Sequence, residues 1–301
     1  MKIAICICTY KRTKLLERLL RSLRYIQLPE MDAEDIRVIV VDNNPDGQAR
    51  AVCDRLAGLL PMKLVFAEEN QQGISFARNR AIDEALCLGA DCVAFIDDDD
   101  LPEPDWLLHL IEKGRATGAN IVCGVIHPIV DAKLPEWFKK SPLFDAPSNK
   151  SQTKFGVPRG IGTGNVLIDR KLLERLKTMG PVFSPEFALI VDTEFFVRAQ
   201  RQGATFARAE KSTIQRNFSG QRQTLKGLLR YAFRLGNYSM LLLKKHGTIE
   251  QIARRRRKVF KKIPMDLLKL PFFTFSSSTL VRNLYNLSKE LGMLYRYFIL
   301  R

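Results

Sequence analysis

Over its first 130 residues the sequence alternates short apolar runs with amphipathic stretches. The apolar runs are typical of buried strands, and the stretches between them carry leucine and alanine at the three- and four-residue spacing of a helix. The predicted strands span residues 2–9, 36–42, 63–67, 92–96 and 120–126, and the predicted helices span 13–25, 49–59, 76–88 and 105–116. Strands and helices that alternate in this way form βαβ units, so we expect an α/β fold with a mostly parallel sheet flanked by helices.

Composition excludes several classes of protein. A hydrophobic content of 46% is too high for a disordered chain, and no run approaches the roughly 18 consecutive apolar residues of a membrane-spanning helix. The first residues lack the cleavage site of a secretory signal peptide, and the six cysteines lack the paired spacing of a zinc site. We therefore expect a cytoplasmic protein with reduced thiols.

Basic charge is concentrated at one end of the chain. Residues 1–200 hold 26 basic and 28 acidic residues, whereas residues 201–301 hold 22 basic and only 4 acidic ones. The basic run at 254–258 lies between segments rich in leucine and phenylalanine, which favours attraction to an anionic membrane surface over nucleic-acid binding. An ordinary solvated surface is the alternative.

Large apolar residues recur every three or four positions near the C-terminus. They are Leu280, Leu284, Leu287, Leu291, Leu294 and Phe298. This spacing is typical of a helix that packs along one face, against either a second copy of the chain or the chain's own core. The sequence therefore allows a homo-oligomer without requiring one.

Polar residues follow three of the predicted strands at the point where each strand ends. Thr9 ends the first strand, Asp42 ends the second, and four aspartates at 97–100 follow the fourth. Ligands of an open parallel sheet bind beyond these carboxyl ends. Crowded carboxylates repel one another unless a cation neutralises them, and Mg²⁺ or Mn²⁺ binds carboxylate and phosphate oxygens. We therefore predict that Asp97 and Asp99 converge on a divalent metal with a phosphate-bearing ligand, with a solvated acidic turn as the alternative.

Residues around the same strand ends suit a nucleotide. The ring of Tyr10 can stack on a base, Asp42 can accept the imide N–H of uracil, and Arg12 follows closely. Arg78 lies near the start of the third predicted helix, where it can neutralise a diphosphate. The alternatives are a turn-capping role for Asp42 and an exposed surface position for Arg78.

The order of six motifs resembles the inverting glycosyltransferases of family 2, which have the GT-A fold. The motifs are ICTYKR, VVDNN, GISFARNRAI, FIDDDDLPEPDWL, GTGNVLIDR and VDTEFFVRAQRQG. The resemblance implies a catalytic domain at 1–235, with a nucleotide-sugar half at about 1–130 and an acceptor half at about 131–235. A basic, largely helical region at 236–301 follows it.

The resemblance also implies a role for each matching side chain. The residues expected to hold a nucleotide-sugar, usually a UDP-sugar, are Thr9, Tyr10, Arg12, Asp42, Arg78, Asp97 and Asp98. The expected ligands of a divalent metal, Mn²⁺ or Mg²⁺, are Asp99 and Asp97. Asp192 matches the catalytic base, and the candidates for acceptor contact or support are Glu194, Trp106 and Asn165.

Two positions depart from the family pattern. Val191-Asp192 stands where Glu-Asp is common, which makes Glu194 a supporting or competing carboxylate. Many members also place a histidine near the metal, whereas this chain has none between His127 and His246.

Three other classes of protein explain the motifs less well. A phosphatase would place its aspartates after an early strand, a nucleotidyltransferase would have an N-terminal glycine-rich loop, and a membrane or nucleic-acid adaptor leaves the aspartates unexplained.

The sequence thus predicts a metal-dependent glycosyltransferase at the inner face of the cell membrane. It is expected to move a sugar from a nucleotide-sugar to the hydroxyl of a glycan or lipid-linked acceptor, with inversion. Cell-envelope glycan or glycolipid synthesis is the expected setting, and no nucleic-acid partner is expected.

Overall fold

The structure is a computed structural model, and it describes residues 1–28, 33–44, 46–129, 134–144, 152–217, 224–269 and 277–298. The chain divides into two compact units. The first contains Met1–Ile129 and Ser148–Asn217, and the second contains Val130–Pro147 and Phe218–Arg301. Residue 235, the predicted end of the catalytic domain, lies inside the helix Leu225–His246.

A sheet of eight strands lies at the centre of the first unit, as far as the described residues show. The strands are β1 (Ile3–Thr9), β2 (Ile36–Asp42), β3 (Lys63–Glu68), β4 (Cys92–Ile96), β5 (Asp100–Pro102), β6 (Ile121–Ile129), β7 (Asn165–Asp169) and β8 (Phe206–Asn217). Their order across the sheet is β3-β2-β1-β4-β7-β6-β8-β5. Because β1 pairs in parallel with both β2 and β4, the carboxyl ends of these three strands meet at one edge.

The other half of the sheet is mixed. β7 runs antiparallel to β4 and β6, and β5 runs antiparallel to β8, whereas β6 and β8 are parallel. The predicted α/β fold is confirmed, and its parallel character comes from β1 to β4 together with the pair of β6 and β8.

The helices of the first unit follow the predicted alternation with the strands. The helices of the described residues in both units are α1 (Thr13–Leu23), α2 (Gln48–Ala57), α3 (Ile74–Cys87), α4 (Trp106–Thr117), α5 (Glu136–Lys139), α6 (Arg170–Lys177), α7 (Val191–Arg201), α8 (Leu225–His246), α9 (Ile249–Lys269) and α10 (Ser277–Phe298). Successive residues of β1 from Ile3 to Ile7 are essentially inaccessible. Since neighbouring strand residues point to opposite faces, both faces of the sheet are covered here, which explains why β1 is apolar throughout.

Strand β8 was not predicted, and its irregular burial explains why. Ala209 is buried, Glu210 and Lys211 are both exposed, and Ser212 and Ile214 are buried. The pairing register with β6 shifts at this point. Such an irregularity reverses the alternation of inward and outward residues, so β8 shows neither a continuous apolar run nor a constant two-residue period.

The second unit contains α5, α8, α9 and α10. Helices α8 and α10 cross at two glycines, because a Cβ atom on Gly236 would overlap the carbonyl oxygen of Lys289, and one on Gly292 would overlap that of Phe233. Val281 contributes to the apolar cluster between α8 and α10. Part of the predicted leucine face does not, since Leu291 remains exposed. In the parts of the chain that the structure describes, no helix combines the length and hydropathy that crossing a bilayer requires.

Candidate active site

Threonine, aspartate and arginine side chains meet where β1, β2 and β4 end. Thr9 is paired with Asp42 across β1 and β2. The Thr9 hydroxyl donates to Asp98 Oδ2 at 2.8 Å, and Arg12 Nη1 donates to both Asp98 Oδ1 and Asp99 Oδ2 at 3.1 Å. The structure therefore brings together residues that are almost 90 positions apart in the chain, as the strand-end pattern predicts.

Burial makes Asp98 an unusual carboxylate. It raises the pKa of Asp98 to about 6, although Arg12 and the Thr9 hydroxyl act in the opposite direction. Its two oxygens already accept hydrogen bonds from Thr9 and Arg12, so Asp98 fixes the turn after β4.

Asp42 is buried and bonded to the backbone. Its Oδ1 accepts the N–H of Asn44 at 3.0 Å, and its Oδ2 accepts the N–H of Ala49 at 3.1 Å. This is the turn-capping arrangement that the sequence left open. Tyr10 follows Thr9, the register partner of Asp42, and is 42% exposed. Its hydroxyl accepts from Gln72 at 3.2 Å.

Asn43 was missed by the sequence reasoning, although it directly follows the second strand. Its Nδ2 donates to the carbonyls of Glu69 and Gln71, and its Oδ1 accepts the N–H of Gly73. Asn43 thus fixes the loop before α3 close to the residues expected to hold a base.

Arg78 is a buried residue of α3, which rules out the exposed surface position. Its Nη2 donates to Asp97 Oδ1 at 3.2 Å, and its Nη1 donates to Asp192 Oδ1 at 2.8 Å. Burial acts to lower the pKa of Arg78, but Asp192 and Asp97 raise it above its ordinary value. One permanently charged guanidinium group therefore joins the aspartate run to the predicted base, which lies 114 residues further along the chain.

Asp192 lies in the first turn of α7 and does not cap it with its side chain. Its Oδ2 accepts the N–H of Thr163 at 3.1 Å. Although burial raises the pKa of Asp192, the Arg78 charge and the Thr163 hydrogen bond bring it below the usual range. About a third of the Asp192 side chain is exposed, so an ionised carboxylate is available to a ligand.

Glu194 faces a different part of the protein. It is buried, and its carboxylate accepts from Arg198 Nε and Nη2 at 3.1 Å. Arg198 also donates to the carbonyls of Pro181 and Val182, so the pair anchors α7 to the preceding segment. The competing role of Glu194 as the base does not fit this position.

Trp106 and Asn165 are likewise internal, and of the two roles expected for them, acceptor contact or support, their position fits support. Trp106 Nε1 donates to Asn165 Oδ1 at 2.8 Å, and Asn165 Nδ2 donates to the carbonyls of Val125 and Ser212. Gly124 lies against this amide so closely that a Cβ atom there would overlap it. Both side chains are fully buried and cannot touch an acceptor, so their contribution is to hold β6, β7 and β8 together.

Arg216 on β8 is the main residue that the sequence reasoning missed. Its Nε donates to Asp100 Oδ1 at 2.7 Å, and its Nη2 donates to Asp97 Oδ2 at 2.7 Å and Asp100 Oδ2 at 2.5 Å. Burial raises the pKa of Asp100 to about 7 despite this partner. The available signal was an arginine in the stretch where many family members carry histidine.

The aspartate cluster fits a divalent cation. One oxygen from each of Asp97, Asp99 and Asp100 lies within 4.8 Å of the others. Hard cations such as Mg²⁺ and Mn²⁺ take oxygen ligands of this kind.

The mixed sheet flanked by helices has the architecture of the GT-A fold. The family model "Glycosyl transferase family 2" matches residues 4–177, more than half of the chain. The chain therefore belongs to glycosyltransferase family 2. This membership confirms the resemblance and sets aside the phosphatase, nucleotidyltransferase and adaptor alternatives.

Two characterised relatives are similar in sequence. The succinoglycan biosynthesis protein ExoM of Rhizobium meliloti (strain 1021) is 31% identical over 251 residues, which cover 82% of this chain and 77% of that protein. The glucosyl-dolichyl phosphate glucuronosyltransferase of Haloferax volcanii is 29% identical over 140 residues, covering 46% of this chain and 42% of that protein.

Solved structures share the fold at low sequence identity. The mannosyltransferase PcManGT of Pyrobaculum calidifontis, in complex with GDP-Man and Mn²⁺, has a TM-score of 0.65 at 16% identity, covering all of this chain and 88% of that one. Residues 1–349 of S. aureus TarS, in complex with UDP, have a TM-score of 0.55 at 15% identity, covering all of this chain and 93% of that one.

Proposed function

We propose that this glycosyltransferase moves a sugar from a UDP-sugar to an acceptor hydroxyl, with inversion, in the synthesis of a cell-envelope glycan or glycolipid. The observation that carries the proposal is the bridge from Asp97 through Arg78 to Asp192. A donor diphosphate held by Arg78 would have the aspartate cluster on one side and the base on the other, which is the order that an in-line displacement needs.

The donor end of the site follows from the strand ends. Tyr10 and Asp42 would contact the base, with Thr9 and Asn43 fixing the backbone around them. Asp97 and Asp98 would hold the ribose, and Arg12 would stay beside Asp98. The UDP complex of TarS and the GDP-Man complex of PcManGT support a nucleotide donor in this fold.

A divalent ion, Mn²⁺ or Mg²⁺, would be held by Asp99 and Asp97. When bound, it supplies positive charge that stabilises the leaving diphosphate. The acidic cluster and the Mn²⁺ complex of PcManGT support this assignment. Arg78, which donates to Asp97, would contribute a fixed positive charge to the same leaving group.

Asp192 would act as the general base. Its lowered pKa keeps it ionised at neutral pH, and the exposed part of its side chain can accept a hydroxyl proton. As that proton moves to Asp192, the acceptor oxygen bonds to the anomeric carbon, and the bond to the diphosphate oxygen breaks on the opposite face. Attack opposite the leaving group inverts the anomeric configuration.

The acceptor and the location belong to the same proposal. The names of the ExoM and Haloferax relatives support a polysaccharide or a lipid-linked acceptor. On α9 four exposed basic residues lie along one face, namely Arg254, Arg257, Lys258 and Lys261. Exposed apolar side chains accompany them, including Phe260 and Leu268. These features support attachment to the inner surface of the cell membrane, and homo-oligomerisation through α10 stays a prediction.

The test is nucleotide release from a panel of UDP-sugars and GDP-mannose, with and without lipid extract as a source of acceptor. We expect release from one UDP-sugar, stimulated by extract and lost in excess EDTA. A strong preference for GDP-mannose would reject the UDP assignment, and full activity in EDTA would reject the metal. Determination of the anomeric configuration of the product by NMR tests inversion.

A further inference from the structure

Arg216 occupies the carboxylates that a divalent ion would use. Every oxygen of Asp97 and Asp100 accepts a hydrogen bond from a guanidinium group, three of them from Arg216 and one from Arg78. Asp97 and Asp100 are also two of the three residues in the acidic cluster. A cationic side chain of the protein itself, Arg216, thus binds two of the three carboxylates of this cluster.

The position of Arg216 is built into the fold. Arg216 and Asp100 are register partners in the antiparallel pair of β8 and β5. Asp100 is completely buried, and the Arg216 side chain is 24% exposed. Gly164 lies against the Arg216 guanidinium group. A Cβ atom at this position would overlap Arg216 Nη2 and lie 2.6 Å from Asp97 Oδ2. The absence of a side chain at residue 164 is what allows the guanidinium to reach both carboxylates.

We propose that Arg216 and a divalent cation compete for Asp97, and that a nucleoside diphosphate resolves this competition in favour of the metal. Two positive groups at the same oxygens repel each other, so metal binding alone has to displace Arg216. A diphosphate that arrives with the ion offers new anionic partners to the displaced guanidinium. Arg216 thereby couples metal binding to donor binding. This inference rests on the proposed metal-dependent use of a nucleotide donor.

The coupling is measurable without any turnover. We expect the wild-type protein to bind Mn²⁺ weakly alone and about tenfold or more tightly with UDP, as followed by electron paramagnetic resonance of the free ion. By linkage, Mn²⁺ should tighten UDP binding by the same factor. Independence of the two ligands in the wild-type protein would overturn the inference, and this measurement requires no variant.

Arg216→Met removes the competing charge, whereas Arg216→Lys retains it and is the matched control. We expect Arg216→Met to bind Mn²⁺ about tenfold more tightly than wild type in the absence of UDP, with a smaller coupling factor. Arg216→Lys should remain weak without UDP. Equal or weaker Mn²⁺ binding by a folded Arg216→Met would overturn the inference, since Arg216 would then be indifferent to the metal or help to hold it. If Arg216→Met does not fold, the wild-type coupling factor and the Lys variant decide.

The assay of nucleotide release separates the two proposals. Metal-dependent transfer with no competition at Arg216 leaves the proposed function standing and rejects this inference. Transfer that is unaffected by EDTA, without Mn²⁺ binding even in UDP, rejects both the metal assignment and the competition.

Discussion

Two acidic residues of α7 have different contacts although only one residue separates them. Asp192 contacts Arg78 and the backbone of Thr163 at the site, whereas Glu194 is buried against Arg198. Side chains two positions apart on a helix point to nearly opposite faces, so charge alone does not decide which carboxylate is the base. The contacts of each side chain do.

Asp192→Asn should abolish most turnover and leave the fold intact. Asparagine can still accept from Arg78 but cannot take a proton, so we expect a loss of about 10²–10⁴-fold in nucleotide release. Glu194→Gln is the comparison. It should keep near-normal turnover and lose about 1–3 kcal/mol of unfolding free energy, measured by urea denaturation, because Arg198 loses its buried charged partner. The opposite pattern would transfer the role of base to Glu194.

Asp100 should make stability depend on pH. Its pKa is raised in the folded protein to about 7, so its contribution to stability is complete below the unfolded pKa, near 3.9, and is lost as pH rises towards 7. We therefore expect the stability of the wild type relative to Asp100→Asn to fall between pH 4 and pH 8 in EDTA. Thermal melts of both proteins across this range measure the difference, and a constant difference would contradict the assignment.

The site residues differ in how far the sequence could reveal them. The polar strand ends were predictable, because parallel strands bring their carboxyl ends to one edge. The partners of Arg78 and Arg216 were not, because they come from segments 114 and more than 110 residues away. A local sequence pattern does not indicate which distant carboxylate an arginine will contact in the folded protein.

At the scale of elements, the helix crossing in the second unit depends on two missing side chains. The backbones of α8 and α10 approach so closely at Gly236 and Gly292 that neither position has space for a Cβ atom. Backbone carbonyls cannot move aside as a flexible side chain can. The helices would have to separate to admit even a methyl group.

Gly236→Ala should therefore destabilise the protein by about 1–3 kcal/mol through overpacking. Gly114→Ala on α4 is the matched control, since its new Cβ would lie 3.5 Å from Val122, an ordinary contact. The higher helix propensity of alanine makes this control neutral or more stable by up to about 1 kcal/mol. Urea denaturation of both variants measures the difference, and equal stabilities would show that the crossing adjusts freely.

The elements themselves were predictable where burial was uniform. β1, β2 and β4 are mostly apolar because both faces of the sheet are covered along them. α1 shows its leucine spacing because only one of its faces is buried. β8 carries charges and a change of register, so its 12 residues resembled an irregular segment. The direction of a strand could not be predicted either, since nothing in the sequence of β7 indicates that it runs antiparallel to both of its neighbours.

At the scale of the whole molecule, charge separates along the chain. The last 101 residues carry 22 basic and 4 acidic residues, against near balance before them. Some of these cations serve the fold, since Arg255 and Lys262 pair with the buried Glu290. The four exposed residues of the α9 face, Arg254, Arg257, Lys258 and Lys261, are among the basic side chains available to a surface.

Vesicle flotation should depend on that face. We expect the protein to float with anionic vesicles at low salt and to detach as salt screens the attraction. Replacing the four residues of the α9 face by alanine should abolish flotation. Replacing Lys63, Arg115, Lys171 and Arg175 in the first unit removes equal charge and should leave flotation unchanged. Equal binding to neutral and anionic vesicles would contradict an electrostatic attachment.

Because Gly124 lies in close contact with the Asn165 amide, substitutions at these two positions depend on each other during evolution. A larger residue at 124 has no space unless 165 becomes smaller, and a smaller residue at 165 leaves Trp106 and the carbonyls of Val125 and Ser212 without their buried partner. Neither position can therefore change first without loss. Among homologues of this chain, glycine and asparagine should be inherited together or replaced together, and that covariation can be read from an alignment.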